Sequence, residues 1–228
     1  MLTFHVITLF PESLDSYLGA SIVKRAQERG LVAVKLYNPR DFVVAAKKGR
    51  PTYAERRVDN RPYGGGPGMV IEALPVIKAI EKAVGKKLSS KLRASKVKIL
   101  FFSPAGKQFS NAVADSYKKY TDIVLVCGRY EGIDARVKKA FPMTDISVGP
   151  YVLTGGELPA MTVIDSVTRR IPGALGHDSS IEELRVSSPD VYTRPESFTY
   201  KGKTFKVPKI LLSGHHAKMD AWKLKRKK

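Results

Sequence analysis

"VKILFFSPAG" at residues 97–106 and "DIVLVCGRYEG" at residues 122–132 decide how this chain is read. Each opens on a short apolar run, too short for an ordinary helix and too continuously apolar for a strand with one wet face. Runs of this kind belong to strands covered on both faces, as in parallel sheets. Outward from them the same grammar repeats. "LTFHVITLF", closed by Pro11, and "VAVKLYN", ending at Pro39, are further strands. A helix is expected from about Leu14 to Arg29 with Gly30 as its C′ residue, and another from Leu74 to Val84. Ser110 should cap a helix running to about Lys118. A last helix, from about Leu158 to Ile171, carries the stripe Ala160, Ile164, Val167 and Ile171, spaced four, three and four, and Pro172-Gly173 ends it. Strand and helix alternate, which makes the fold class α/β with a parallel sheet.

Two regions stand outside this alternation. Arg40 to Gly68 is a long loop carrying "DNRPYGGGPGM", and "GKKLSSKLRASK" is a lysine-rich surface connector. After the last helix, "ALGHDSSIEELRVSSPDVYT" is polar and aperiodic, the mark of a linker. The expected organisation is a main domain over 1–172, a linker over 173–193 and a short basic C-terminal module over 194–228.

The charge balance points to a class of partner. Forty Lys and Arg oppose 21 Asp and Glu among 228 residues, a net charge of +19, and 43% of the chain is apolar. Such a chain has a real core and a surface suited to a polyanion, most commonly nucleic acid. No stretch is long enough to span a bilayer and no basic amphipathic helix stands out, so no membrane partner is expected. "MLTFHVITLFPE" lacks the features of a signal peptide. Cys127 is the single cysteine, which excludes a disulfide framework and suits a reducing cytoplasm.

Several familiar chemistries are absent. "GGGPG" is not followed by Lys-Ser/Thr, no G-x-G-x-x-G follows a strand, and neither H-E-x-x-H nor G-x-S-x-G occurs. His5, His177, His215 and His216 lack metal-ligand spacing, so no metal site is expected; Mg2+ dependence does not follow from the sequence. What remain are three glycine-marked loops after apparent strands: "SPAG" (103–106), "CGRYEG" (127–132) and "VGPYVLTGG" (148–156). Ligands of open α/β sheets bind at the carboxyl ends of strands, where such loops gather. The last loop lies in "DISVGPYVLTGGELPAMTVIDSV", whose only charges are Asp145, Glu157 and Asp165. An apolar slot with approachable backbone suits a flat, uncharged heteroaromatic such as adenine better than a phosphate.

"VDNRPYGGGPGM", "LVCGRYEGIDAR", "SVGPYVLTGGELPAMTVIDSVTR", "IPGALGH" and "YTRPE" together resemble the bacterial tRNA (guanine-N1)-methyltransferase family, of the knotted SPOUT methyltransferases. The resemblance implies a parallel sheet with helices on both faces and a C-terminal trefoil knot, an exception to the threading rule that no periodicity reveals. It implies S-adenosylmethionine as methyl donor, tRNA as partner, transfer to N1 of the guanine immediately 3′ of the anticodon, and a homodimer with active sites shared between subunits. By the resemblance the cofactor slot takes Gly128 and the run Val148, Gly149, Pro150, Tyr151, Val152 and Leu153. Ser103, Pro104, Gly106, Gly155 and Gly156 complete it.

Guanine N1 carries a proton, so the reaction wants a general base and a cation near O6, where negative charge develops. Arg169 matches the family's arginine after "DSV"; the alternative role for it is an i,i+4 pair with Asp165. The family's base is a linker aspartate. This chain has "SSIEELRV" at 179–186, which brings Glu183 onto that position, with Glu182 beside it and Asp178 as the alternative. Asp59 and Arg61, in a loop that holds the target guanine in the family, are substrate-binding candidates. The basic clusters at 47–61, 86–98 and 218–228 suit phosphate contacts. The family commonly carries a longer helical C-terminal domain than the one that stops here at Lys228. Two other functions stay open at this point: a SPOUT enzyme acting on another RNA, and a non-catalytic RNA-binding protein on the same scaffold.

Overall fold

The computed structural model describes residues 1–43, 56–85, 96–176, 186 and 190–225. The chain forms two compact units, Met1–Leu175 and Gly176–Lys228.

The first unit begins with β1 (Leu2–Ile7), a helical turn at Pro11–Leu14, α1 (Asp15–Leu18), α2 (Ser21–Glu28) and β2 (Val32–Tyr37). The single helix expected over 14–29 is thus split. Gly19 donates to Asp15 O and closes α1, and Ala20 then takes an extended backbone (φ −126°, ψ 157°) before α2 starts. Periodicity alone does not see such a break, because Leu14, Leu18, Val23 and Ala26 still face one core. At the other end Gly30 has φ +67°, with Gly30 N–H on Gln27 O and Leu31 N–H on Ala26 O, the paired closure that a C′ glycine permits.

Next come β3 (Asp59–Asn60) and β4 (Val70–Ile71), paired antiparallel, then α3 (Ala73–Val84), β5 (Val97–Gln108) and α4 (Asn111–Tyr117), whose N-cap is Ser110 as expected, its Oγ accepting from Val113 N–H at 3.4 Å. β6 (Asp122–Val126), α5 (Arg136–Ala140), β7 (Thr144–Ser147) and α6 (Glu157–Thr168) complete the unit. The sheet runs β2-β1-β6-β5-β7 and every pairing is parallel.

The two apolar runs read first from the sequence lie side by side as β5 and β6, and their side chains alternate between two cores. Leu100, Ile123 and Leu125 pack with Ala114 of α4 and Ala160, Val163, Ile164 and Val167 of α6. Ile99, Val124 and Val126 pack on the other side with Val76, Ala79 and Ile80 of α3 and Val137 of α5. Helices therefore flank both faces, which is why these strands read as unbroken apolar runs. Burying one such Ile or Leu side chain contributes about 1.5–3 kcal/mol.

β5 is longer than the sequence suggests. Its register with β7 runs from Leu100↔Thr144 to Phe102↔Ile146, slips, and resumes at Lys107↔Ile146. "SPAG" is a bulge inside the strand rather than a loop beyond it, an accommodation for Pro104, which has no N–H to donate.

The second unit holds the hairpin β8 (Ser197–Tyr200) and β9 (Lys203–Lys206), a helical turn at Lys209–Leu212, and α7 (His216–Lys225). Lys201 and Gly202, both at positive φ, make the two-residue turn. No helix among the described residues is long and apolar enough to cross a membrane.

Candidate active site

At the bulge within β5 and the carboxyl ends of β6 and β7 the three glycine-marked segments converge around a cavity of about 500 Å³. That size falls within the range of small-molecule sites. Ser103 and Pro104 of the β5 bulge, Gly128 after β6, and Val148, Gly149, Tyr151, Val152, Leu153, Gly155 and Gly156 after β7 all line it. Two of the residues expected there do not. Gly106 lies where β5 crosses β7, and a side chain on it would meet Ile146 N at 2.6 Å. Pro150 is exposed at the outer edge of the loop.

The loop after β7 is tied to the loop after β6. Gly156 N–H donates to Gly128 O at 3.0 Å, and Arg129 and Gly155 form an antiparallel bridge. A β-carbon on residue 156 would stand 2.5 Å from Cys127 Cα, so only glycine lets the two backbones touch. Gly149 differs: a β-carbon there would strike the ring of Tyr151, a side chain that is half exposed.

Beneath this junction lies an ion pair that the motif reading passed over. Arg129 Nε stands 3.0 Å from Glu157 Oε2, though at an angle outside hydrogen-bond geometry. Glu157 is buried and its other oxygen accepts from Thr8 Oγ1 at 2.7 Å. Thr8 Oγ1 in turn accepts from Phe10 N–H, and the Phe10 ring lies under the Arg129 guanidinium, 4.7 Å from its centroid. The signal was present in the sequence. Glu157 is a lone carboxylate in an apolar, glycine-broken segment, and a buried charge needs a partner. Cys127 sits beside it, fully buried; burial first, and the neighbouring Glu157 second, hold its thiol well above the usual range, which makes it inert.

The cavity walls suit an adenosine-bearing ligand. Phe102, Pro104, Ile133, Val148, Val152 and Leu153 give apolar surface. Of the lining charges, Arg129 is committed to Glu157, and Lys138 to Asp145 Oδ2 at 2.7 Å and to the Phe101 ring. Among the described residues Glu131 is the one carboxylate lining the cavity. Among the described residues no group of three His, Cys, Asp or Glu is placed to hold a metal ion.

Asp59 and Arg61 line a second hollow, with Arg57, Asn60, Met69 and Glu72, and Asp59 is ion-paired to Arg57 at 3.2 Å. Backbone bonds fasten this segment to the loop after β6: Glu131 N–H donates to Met69 O, Ile71 N–H to Gly132 O and Asp134 N–H to Ile71 O. Asp134 is gripped by Arg136, whose hydrogen bonds hold its carboxyl below the usual range.

Against this arrangement the comparisons can be set. The sequence pattern of the tRNA (Guanine-1)-methyltransferase family matches residues 2–228. The chain is 39% identical to the tRNA (guanine-N(1)-)-methyltransferase of Clostridioides difficile, across 96% of this chain and 90% of that protein. It is 43% identical to that of Pelotomaculum thermopropionicum, across 96% and 82%. For that of Thermomicrobium roseum the figures are 42%, 96% and 76%.

The chain belongs to the tRNA (guanine-1)-methyltransferase family.

For a member of this family the catalytic pair is the open matter. Arg169 caps the C-terminal end of α6, whereas Gly156 and the cavity lie at its N-terminal end. Twelve helical residues separate them by roughly 18 Å, so within one subunit Arg169 is not beside the cavity. Asp165, its alternative partner, accepts from Tyr17 O–H at 2.5 Å. Glu183, Glu182 and Asp178 lie outside the described residues.

Proposed function

We propose that the protein transfers the methyl group of S-adenosylmethionine to N1 of the guanine immediately 3′ of the anticodon in tRNA. Membership of the family over residues 2–228, with the three glycine-marked segments converging on one adenosine-sized cavity, carries this reading. S-adenosylmethionine supplies an electrophilic methyl group and departs as the neutral thioether. Gly128 and the 148–156 loop hold it, with the junction at Gly156 fixing the loop's path. Asp59 and Arg61 hold the target nucleotide, on a segment fastened to the loop after β6 by Glu131, Gly132 and Asp134.

The chemical step needs the N1 proton removed as the N1–carbon bond forms. Glu183 accepts that proton, and Arg169 faces O6 as negative charge grows there. Because Arg169 stands at the far end of α6 from its own cavity, the reading includes a homodimer in which one subunit's Arg169 meets the other subunit's Glu183 at that other subunit's cavity. It includes a trefoil knot as well. After edge strand β7 the chain returns past β5 to bond Gly128 at the end of β6, and α6 then packs beside α4 and α2. The domain division at the linker, a tRNA-binding C-terminal module and a cytoplasmic setting belong to the same reading.

The test is methyl transfer to a tRNA carrying guanine 3′ of the anticodon and to the same tRNA with adenine there. Product N1-methylguanosine in the first and none in the second is expected. Equal transfer to both, or transfer to ribosomal RNA instead, overturns the proposal.

A further inference from the structure

The hairpin of the second unit has a face that its own fold does not use. Phe198 pairs with Phe205 and Tyr200 with Lys203, so these four side chains share one face of the β8–β9 ribbon. Ser197, Thr199, Thr204 and Lys206 take the other, where the Thr199 and Thr204 hydroxyls meet at 3.2 Å. The aromatic face remains open: Phe198 is 58% exposed, Tyr200 60% and Phe205 41%. Phe198 and Phe205 lie nearly parallel, with centroids 5.4 Å apart and 18° between planes. Three aromatic rings on two four-residue strands are a large apolar investment for a face that covers no core.

Charge says what the face meets. From Ser197 to Met219 there are five lysines and no carboxylate. Two of them attend the rings, Lys201 Nζ at 5.5 Å from the Tyr200 centroid and Lys203 Nζ at 5.6 Å from that of Phe205. A second copy of this lysine-rich hairpin laid face to face on the first would bring like charge against like. An occupant that offers flat apolar rings and negative charge together, at the spacing of a chain, is single-stranded RNA. Its bases stack on aromatic side chains of any orientation, and its phosphates meet flanking lysines.

We propose that the Phe198, Tyr200 and Phe205 face of the β8–β9 hairpin is a stacking platform for unpaired RNA bases, one over the Phe198–Phe205 pair and one on Tyr200, with Lys201 and Lys203 on the adjoining phosphates. The proposal rests on the reading of the protein as an enzyme of tRNA, and it gives that substrate a second point of attachment, on the unit that does not carry the methyl-transfer cavity.

The full-length protein is titrated with tRNA, with a short oligo-uridine and with the same length of duplex RNA, over a range of salt. Phe198→Leu and Tyr200→Leu keep apolar bulk and remove the π face. Each is expected to weaken tRNA and oligo-uridine about 10-fold, with little effect on the duplex and none on S-adenosylmethionine affinity. The slope of log K against log[salt] stays the same in these variants, whereas Lys201→Gln with Lys203→Gln flattens it by about two charges' worth. If the leucine variants bind and methylate tRNA as the wild type does, the platform is wrong and the enzyme reading stands. If they lose oligo-uridine but the wild type methylates no tRNA, the platform stands and the enzyme reading falls. Unchanged RNA binding with altered affinity for phosphatidylserine vesicles, altered subunit association or a lowered unfolding midpoint overturns the platform, because the face then serves a membrane, a partner subunit or the fold.

Discussion

Gly149 and Gly156 stand seven residues apart in one loop, yet a side chain at each would meet different resistance. At 156 the obstacle is the Cys127 backbone, in the middle of the sheet's end, and it cannot move. Gly156→Ala is therefore expected to destabilise the protein by about 1–3 kcal/mol, the usual cost of overpacking, as read by denaturant unfolding. At 149 the obstacle is the Tyr151 ring, which has room to swing outward. Gly149→Val should leave the unfolding midpoint nearly unchanged while weakening S-adenosylmethionine about 10-fold or more in calorimetry, since the new methyls enter the cavity and the Tyr151 ring leaves its wall. Unchanged affinity in that variant sinks the assignment of the loop. The buried Arg129–Glu157 pair behaves as one unit with Thr8. Glu157→Ala leaves a cation over Phe10 without its carboxylate and a Thr8 hydroxyl without its acceptor. A loss of about 2–4 kcal/mol is expected, less than for a fully enclosed pair because Arg129 is a quarter exposed. Arg129→Ala combined with Glu157→Ala should cost less than the sum of the two changes; full additivity would mean that the pair is not coupled.

Elements show where the sequence was legible. β5 and β6 declared themselves because both faces of each are covered, so their runs stay apolar apart from Lys98. α6 was legible through Ala160, Ile164 and Val167, all fully buried. The cavity's walls were legible too, since glycine is the only residue that allows the contact at 156. The break at Gly19 was not, because a helical stripe persists across it. Nor was the bulge at 103–106, which only the pairing with β7 reveals. Arg169 was placed by motif, and a motif carries no distance, so its position at the opposite end of α6 emerges only in three dimensions. The tie between α1 and α6 was equally invisible. Tyr17 O–H donates to Asp165, and that bond first, with burial second, raises its pKa to about 12. Tyr117, the buried last residue of α4, is raised to about 12 as well, by desolvation first. A tyrosine whose folded pKa exceeds its unfolded value of about 10 favours the folded state while protonated. That contribution is intact below pH 10 and lost as pH rises through 12. Unfolding midpoints should therefore fall across this window, and Tyr17→Phe should blunt the fall. A spectrophotometric titration in which every tyrosinate forms near pH 10 would refute it.

On the proposed reading, the whole molecule is a dimer that brings together what one subunit keeps apart. The cavity opens at the N-terminal end of α6, Arg169 stands at the other end, and the linker that carries Glu183 follows α6 in the chain. In the proposed homodimer, two copies related by a two-fold axis with their α6 helices antiparallel would bring each subunit's arginine towards the other's cavity, an isologous contact in which both sites are built alike. Glu183→Gln keeps the shape and removes the base, so turnover should fall on the order of 10²–10⁴-fold with cofactor affinity unchanged. Arg169→Ala should damage the same step, because its planar fork has no substitute facing O6. If both residues come from one subunit and serve the other's cavity, mixing the two inactive proteins restores nothing: every arm in a hybrid dimer still lacks one of the pair. If instead one is supplied in cis and the other in trans, the hybrid contains one site with both residues intact and activity returns towards a quarter of wild type, half the dimers being hybrid and half their sites whole. Complementation thus reports which subunit supplies Glu183. Full activity in Glu183→Gln with a dead Glu182→Gln or Asp178→Asn moves the base by a residue or a turn. Activity in all three removes the linker carboxylate from the mechanism altogether.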